Sequence, residues 1–383
     1  MKANWNYPTQ VLVGAGRISE VGALCESHGI RAPLIVTDPG IASLPMFAQL
    51  VSICQASSLA VLSFSNIKPN PTGQNVEDGV MSFLAGNHDA VIALGGGSAL
   101  DAGKSIALIA RQSCSLWDLE DLGDNTRNAD PDKIVPVIAI PTTAGTGSEV
   151  GRAGLIVNES EQRKVIIFHP KMMPVSVILD PELTTGLPAH LTAATGMDAL
   201  SHSLEAWCSP GFHPMAEGIA LESIRLVGAH LEQVVIDGTN VDSRLHMLVA
   251  SMMGATAFQR GLGAMHALAH PLGAVYDAHH GLLNAVLMPY VLQANRSVIE
   301  ARICRLAAYI GQDSNFNAFL DWVLQLRAAI NIPHTLESVI ERNDSFERIG
   351  EMAVLDPSAS GNPIAFSAAE YQKILINACE GNL

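Results

Sequence analysis

The chain has 383 residues, 48% of them apolar and only 15% charged, with a formal net charge of −15. That composition excludes a disordered chain and leaves room for one large domain or two. The negative charge, without any Lys/Arg cluster, excludes nucleic acid as a partner, and no apolar run approaches the ~18 residues that span a bilayer.

In chain order, β-branched runs at 11–13, 34–37, 61–64, 91–94 and 137–140 alternate with amphipathic helical stretches. Further extended candidates lie at 155–157, 165–168 and 175–180. Strands separated by helices of ten or more residues predict βαβ units and a largely parallel sheet. The pattern changes near 181–187, where Pro188 starts a helical region. From there the signal is helical, for example at 216–231, 243–258, 282–294 and 316–330. The expected architecture is an α/β parallel-sheet domain, 1–184, followed by an all-helical domain, 185–383. The opening MKANWNYPTQ lacks the apolar core of a secretory leader. The six cysteines contain no C-x-x-C pair and read as free, mostly buried thiols. Both features predict a cytoplasmic protein.

Two glycine loops follow strands. In AVIALGGGSALDAGKSIALIA (90–110) a buried strand runs into Gly95-Gly96-Gly97-Ser98 and then a helix. Such a turn admits close backbone approach to a pyrophosphate, and the helix N-terminus adds unpaired N–H groups. PTTAGTGSE (141–149) is dense in hydroxyls and glycines and is suited to the same ligand. Asp38, at the end of LIVTD, stands where a carboxylate accepts from a ribose diol, although it precedes the glycine loop instead of following it. VLVGAGRIS (11–19) has Ser19 where a third fingerprint glycine belongs, so Gly14 and Gly16 read as turn glycines.

The helical half carries a second kind of signal. Asp198 and His202 are four apart in GMDALSHSLEA, on one face of a helix. His266 and His270 repeat that spacing, and His280 follows in a loop. A carboxylate and three imidazoles, Asp198, His202, His266 and His280, suit Fe(II), Zn(II), Mn(II) or Co(II).

Together, TDPG (37–40), PNPT (69–72), GGGSALDAGK (95–104), PTTAGTGSE (141–149), ATGMDALSH (194–202), MHALAHPLGAVYDAHHG (265–281) and GNP (361–363) resemble the iron-containing (group III) alcohol dehydrogenase family, which includes lactaldehyde reductase-like enzymes. The resemblance spans nearly the whole chain. It implies a dinucleotide-binding domain and a helical metal domain of dehydroquinate synthase-like fold, with the active site in the cleft between them. It implies Fe(II), with Zn(II) as the alternative, at Asp198, His202, His266 and His280. The family pattern puts the metal on the histidine before the glycine, hence His280 and not His279. NAD contacts carry over to Asp38, Asn70, Gly96, Gly97, Ser98, Thr142, Thr143, Thr146 and Lys164. His270 falls beside the nicotinamide, either as a proton relay or as a packing group. The family also implies a homodimer or larger homo-oligomer.

The reaction implied is reversible hydride transfer between a small alcohol or aldehyde and NAD(H). A lyase of the dehydroquinate-synthase kind is the rival. It needs basic residues around the metal, and segments 189–209 and 261–295 contain no Lys or Arg. The chain departs from the family at Gln259 and Arg260, where an asparagine is usual before G-L-G, and Arg152 adds a second cation near the cofactor loop. If either arginine faces the substrate, a hydroxy acid or semialdehyde acid is favoured; if both are paired surface arginines, a neutral alcohol is.

Overall fold

The computed structural model describes residues 9–161, 163–341 and 346–383; residues 1–8, on which most of the leader reading rests, lie outside them. The strands are β1 (Gln10–Val13), β2 (Pro33–Val36), β3 (Leu62–Phe64), β4 (Ala90–Gly95), β5 (Val137–Pro141), β6 (Ala153–Asn158), β7 (Arg163–Phe168) and β8 (Ser176–Leu179). Six form one parallel sheet in the order β1-β8-β5-β4-β2-β3. β2, β4, β5 and β8 are buried at every residue, as strands covered on both faces must be. The extended candidates at 155–157 and 165–168 belong to β6 and β7, which do not join that sheet. They pair antiparallel as a separate ribbon, with buried and half-buried residues alternating along β6.

The helices of this half are α1 (Val21–Ser27), α2 (Pro39–Ala42), α3 (Pro45–Ala56), α4 (Gly73–Ala85) and α5 (Gly97–Ile109). At β2 the strand order reverses. β3 lies on one side of β2, while β4, β5 and β8 succeed one another on the other. Ligands of open parallel sheets bind beyond the strand ends at such a reversal. Here that place is bordered by the ends of β2 and β4, which carry Asp38 and the Gly95–Ser98 loop.

The second half is α6 (Ala189–Cys208), α7 (Pro214–Ile236), α8 (Val241–Ala257), α9 (Ala264–Tyr276), α10 (His280–Tyr309), α11 (Phe316–Ala329), α12 (Phe346–Leu355) and α13 (Ala368–Glu380). α6 is buried around its whole circumference from Ala206 back to Met197, and it packs against α7, α8 and α10. An all-round buried helix is the axis of its domain, so polar side chains on it must find partners inside. α10 runs well past the expected 282–294, to Tyr309, with Pro289 accommodated within it. Contacts divide the described residues into two compact units, one containing 9–143 and Gly147–Thr185, the other containing Ala144–Thr146 and the chain from Gly186 onward.

Candidate functional site

In the helical unit, α6 presents Asp198 and His202 one turn apart, both buried. α9 brings His266 beside them, and the ligand atoms of these three residues all lie within 4.8 Å of one another. His280, the first residue of α10, stands just outside that tight group, with Nε2 3.6 Å from Asp198 Oδ1. His279 has a different job. It is the N-cap of α10, and its Nδ1 accepts from the Leu282 N–H at 3.3 Å. Gly281 lets α10 approach α6 this closely. A Cβ there would lie 2.5 Å from the Ala194 carbonyl and 3.1 Å from Asp198 Cβ.

Burial alone would raise the Asp198 carboxyl, but His202, His280 and His266, with the Asn284 amide, hold it at about 2. Burial pushes His202 down to about 4, so it is a neutral base. His202 Nδ1 is buried with no hydrogen-bond partner among the described residues. A neutral imidazole with an unclaimed buried nitrogen, beside an ionised carboxylate, is a donor set that fits a borderline dication.

Three residues of this site were missed in the sequence. Glu205, one turn beyond His202, accepts from His266 Nδ1 at 2.6 Å, Gly263 N at 2.8 Å and Met265 N at 2.7 Å. It thus satisfies the N-terminus of α9 and fixes the His266 tautomer together, leaving Nε2 as the lone pair. Asn284, one turn after His280, directs Nδ2 at Asp198 Oδ1 (2.9 Å), His266 Nε2 (3.2 Å) and His280 Nε2 (3.2 Å). An amide has two hydrogens, so three acceptors here exceed its capacity. Asp356 accepts from His270 Nδ1 at 2.8 Å. The His270 ring stacks on His280 with centroids 5.3 Å apart, and His270 is absent from the tight group. A turn-spaced polar residue on the same face was the available signal for Glu205 and Asn284; none existed for Asp356.

Arg260 is neither a substrate-facing cation nor a surface one. It is buried, and its guanidinium donates to the carbonyls of Ala206, Trp207 and Gly211 and pairs with Glu217 Oε1 at 2.8 Å. It closes the C-terminus of α6. Arg152 is half-buried in the other unit, with its guanidinium carbon 5.5 Å from the centre of the Phe168 ring.

In the sheet unit, Gly95 has φ +146, and a Cβ there would meet Ala99 Cβ at 2.7 Å and Asp38 Oδ2 at 3.5 Å. Only glycine turns this corner, and the turn lies against Asp38. Asp38 is itself the N-cap of α2, with Oδ1 accepting from Ile41 N at 2.9 Å. Gly96 is the N-cap of α5, and Gly97 and Ser98 begin that helix. Ser98 Oγ donates to the Pro69 carbonyl, which brings Asn70 to the same loop. Thr142 N donates to Gly95 O at 3.0 Å, and Thr143 borders Gly96. Lys164 is on β7 opposite Val157, which pairs with Thr72 two residues after Asn70. Thr146 is in the other compact unit. So Asp38, Asn70, Gly96, Gly97, Ser98, Thr142 and Thr143 gather around the strand reversal, with Lys164 on the adjoining ribbon.

The profile of the iron-containing alcohol dehydrogenase family matches residues 8–181, and that of the C-terminal part of the Fe-containing alcohol dehydrogenase family matches residues 192–379. The 4-hydroxybutyrate dehydrogenase of Cupriavidus necator is 37% identical over 381 residues, covering 96% of this chain and 98% of that protein. A crystal structure of a 1,3-propanediol oxidoreductase superposes with a TM-score of 0.93 at 32% identity, covering 99% of this chain and 100% of that one. The sulfoacetaldehyde reductase of Bifidobacterium kashiwanohense, solved in complex with NAD+, gives 0.90 at 27% identity, with 99% of each chain covered. With both halves matched in order and the buried carboxylate–imidazole cluster between the same helices that carry the motifs, the chain belongs to the iron-containing alcohol dehydrogenase family of oxidoreductases acting on CH–OH groups.

Proposed function

We propose that this chain interconverts a small alcohol and its aldehyde, with NAD(H) as hydride carrier and Fe(II), or Zn(II), held by Asp198, His202, His266 and His280. The observation that carries this reading is the buried meeting of an ionised carboxylate with imidazole lone pairs around the overcommitted Asn284 amide. The metal supplies Lewis acidity toward the substrate oxygen, and the nicotinamide accepts or returns hydride. The chain's own residues do the rest. Glu205 keeps the His266 ring oriented, and Asp356 does the same for His270. His270, with Nδ1 taken by Asp356, has Nε2 left to carry a proton to or from the reaction. The N-terminus of α5, with Gly96, Gly97 and Ser98, offers N–H groups to the pyrophosphate, and Asp38 Oδ2 accepts from the ribose diol. Asn70, Thr142, Thr143, Thr146 and Lys164 complete the dinucleotide contacts. The sheet unit then serves mainly the dinucleotide and the helical unit the metal, in a cytoplasmic homodimer or larger homo-oligomer.

The deciding experiment is anaerobic reconstitution with Fe(II), then NADH consumption against a panel of aldehydes. No turnover with any aldehyde, on protein shown by elemental analysis to hold iron, overturns the proposal.

One observation favours a narrower reading. Arg260 is fully committed around the C-terminus of α6, whereas the Arg152 guanidinium makes no hydrogen bond among the described residues and has only the Asp121 carboxylate as a neighbouring charge. The 4-hydroxybutyrate dehydrogenase and the sulfoacetaldehyde reductase are both named for anionic substrates. A planar guanidinium would bind such a carboxylate or sulfonate. The comparison is kcat/KM for succinic semialdehyde against butyraldehyde. Arg152→Ala lowers that ratio if Arg152 holds the anion, and leaves it unchanged if the substrate is a neutral alcohol.

A further inference from the structure

Away from the buried cluster, α7 and α8 bring together His230, Asp242 and His246, whose ligand atoms all lie within 4.8 Å of one another. Asp242 and His246 repeat, on the first two turns of α8, the spacing of Asp198 and His202 on α6. His230 reaches them from α7, across the short link 237–240. The His230 and His246 rings lie parallel, with centroids 4.1 Å apart and an interplanar angle of 6°.

The hydrogen bonds assign both tautomers. Ser243 Oγ donates its one hydrogen to Gln233 Oε1 at 2.9 Å, so at 3.1 Å it accepts from His230 Nδ1–H. His246 Nδ1 is 2.8 Å from the Asp242 carbonyl, which can only accept. Each ring therefore carries its proton on Nδ1, and each Nε2 keeps a lone pair. Two neutral imidazoles, with the Asp242 carboxylate 3.5 Å from His246 Nδ1, are a ligand set for a borderline dication once the rings turn their Nε2 lone pairs inward. The neighbouring Arg225 does not oppose this strongly, because Glu222 pairs with it at 2.5 Å.

We propose that His230, Asp242 and His246 form a second metal site, separate from the buried one, which takes a transition-metal dication such as Zn(II) and clamps α7 to the start of α8. A metal lies in the plane of the imidazole that binds it, so two parallel rings must turn toward each other to share one ion. His246 and Asp242 have room for that, with side chains 37% and 78% exposed. Water fills the remaining coordination positions, as expected where the protein supplies three ligands on an open face. This is a structural clamp that takes no part in alcohol oxidation.

The test dialyses the full-length chain to equilibrium against Zn(II) and counts bound zinc by elemental mass spectrometry. Wild type takes up about one equivalent per chain more than His246→Ala, and His230→Gln behaves like His246→Ala. Zn(II) raises the Tm of Asp198→Ala, whose buried site is crippled, by a few degrees, and this rise vanishes in Asp198→Ala/His246→Ala. Equal zinc uptake by wild type and His246→Ala overturns the proposal. So does a rise in Tm that survives in the double variant. Loss of the buried site's activity affects neither readout, so the two metal proposals fail independently.

Discussion

Under the proposed function the two units would hold a polar ligand in opposite ways. The helical unit buries ionisable side chains and makes them partner one another: Asp198 meets His280 and Asn284, and His266 meets Glu205. The sheet unit leaves Asp38, Asn70 and Ser98 half-exposed, and its candidate site is mainly backbone, at the Gly95 corner and the first turn of α5. A buried charge left unpaired costs several kcal/mol, whereas a half-exposed carboxylate can fall back on water. Substitutions in the helical unit are therefore expected to hurt more than substitutions in the sheet unit, and the following experiments can break that ranking.

Asp198→Ala should do most harm. Three imidazoles without their carboxylate lose both charge balance and geometry, so activity falls below detection and bound iron approaches zero by elemental analysis, with far-UV circular dichroism unchanged. Arg260→Met comes next. It takes the donor from the Ala206 carbonyl, leaves Trp207 O and Glu217 with Arg302 as their remaining partner, and empties a buried guanidinium site. Loss of about 2–4 kcal/mol in urea unfolding is expected, without a change in the succinic semialdehyde to butyraldehyde ratio.

Glu205→Gln keeps an acceptor for α9 but removes the charge behind His266. Iron affinity should fall about 10–100-fold in competition with a chelator. In the sheet unit, Asp38→Asn removes the carboxylate that would repel a 2′-phosphate. The NADH over NADPH preference in kcat/KM should shrink by about tenfold, a change of ~1.4 kcal/mol.

Glu149→Gln is the mildest. Burial raises the Glu149 carboxyl to about 7 from its ordinary 4.5, against the pull of Lys104. Between those values the folded chain keeps a proton that the unfolded chain has released, so Glu149 lowers stability progressively as pH rises from 4.5 to 7. Glu149→Gln should thus gain a few degrees of Tm relative to wild type at pH 8 and little at pH 4.5. A larger effect here than from Arg260→Met would reverse the ranking of the two units.

Local spacing was readable from the chain, and long-range partnership was not. Asp198 and His202 share a helix face because 3.6 residues make a turn, which needs no tertiary knowledge. The buried strands announced themselves as short β-branched runs. Glu205 and His266 are 61 residues apart, however, and His270 and Asp356 are 86 apart. No periodicity connects such pairs; only tertiary packing does, and for His270 it is that of α9 against α12 and the segment 357–361. Arg260 illustrates the converse error. Its neighbours in sequence pointed to a pocket, but the carbonyls it serves lie about fifty residues earlier. The β6–β7 ribbon was likewise read as extended segments whose destination the pattern left open, because alternation fixes a strand's faces and not its sheet.

Asp38 has two oxygens in two trades. Oδ1 holds the first turn of α2, while Oδ2 lies beside the glycine corner. A route to NADPH use that swaps this residue for glycine or alanine gives up helix capping along with charge, and the cap is worth about 0.5–2 kcal/mol when alanine replaces it. Asparagine and serine keep the cap and drop the charge. If Asp38 sets the coenzyme preference, single steps that keep the α2 cap are open to it, and a redesign library at position 38 should be enriched in capping residues such as asparagine, serine and threonine over alanine after selection for both activity and heat resistance.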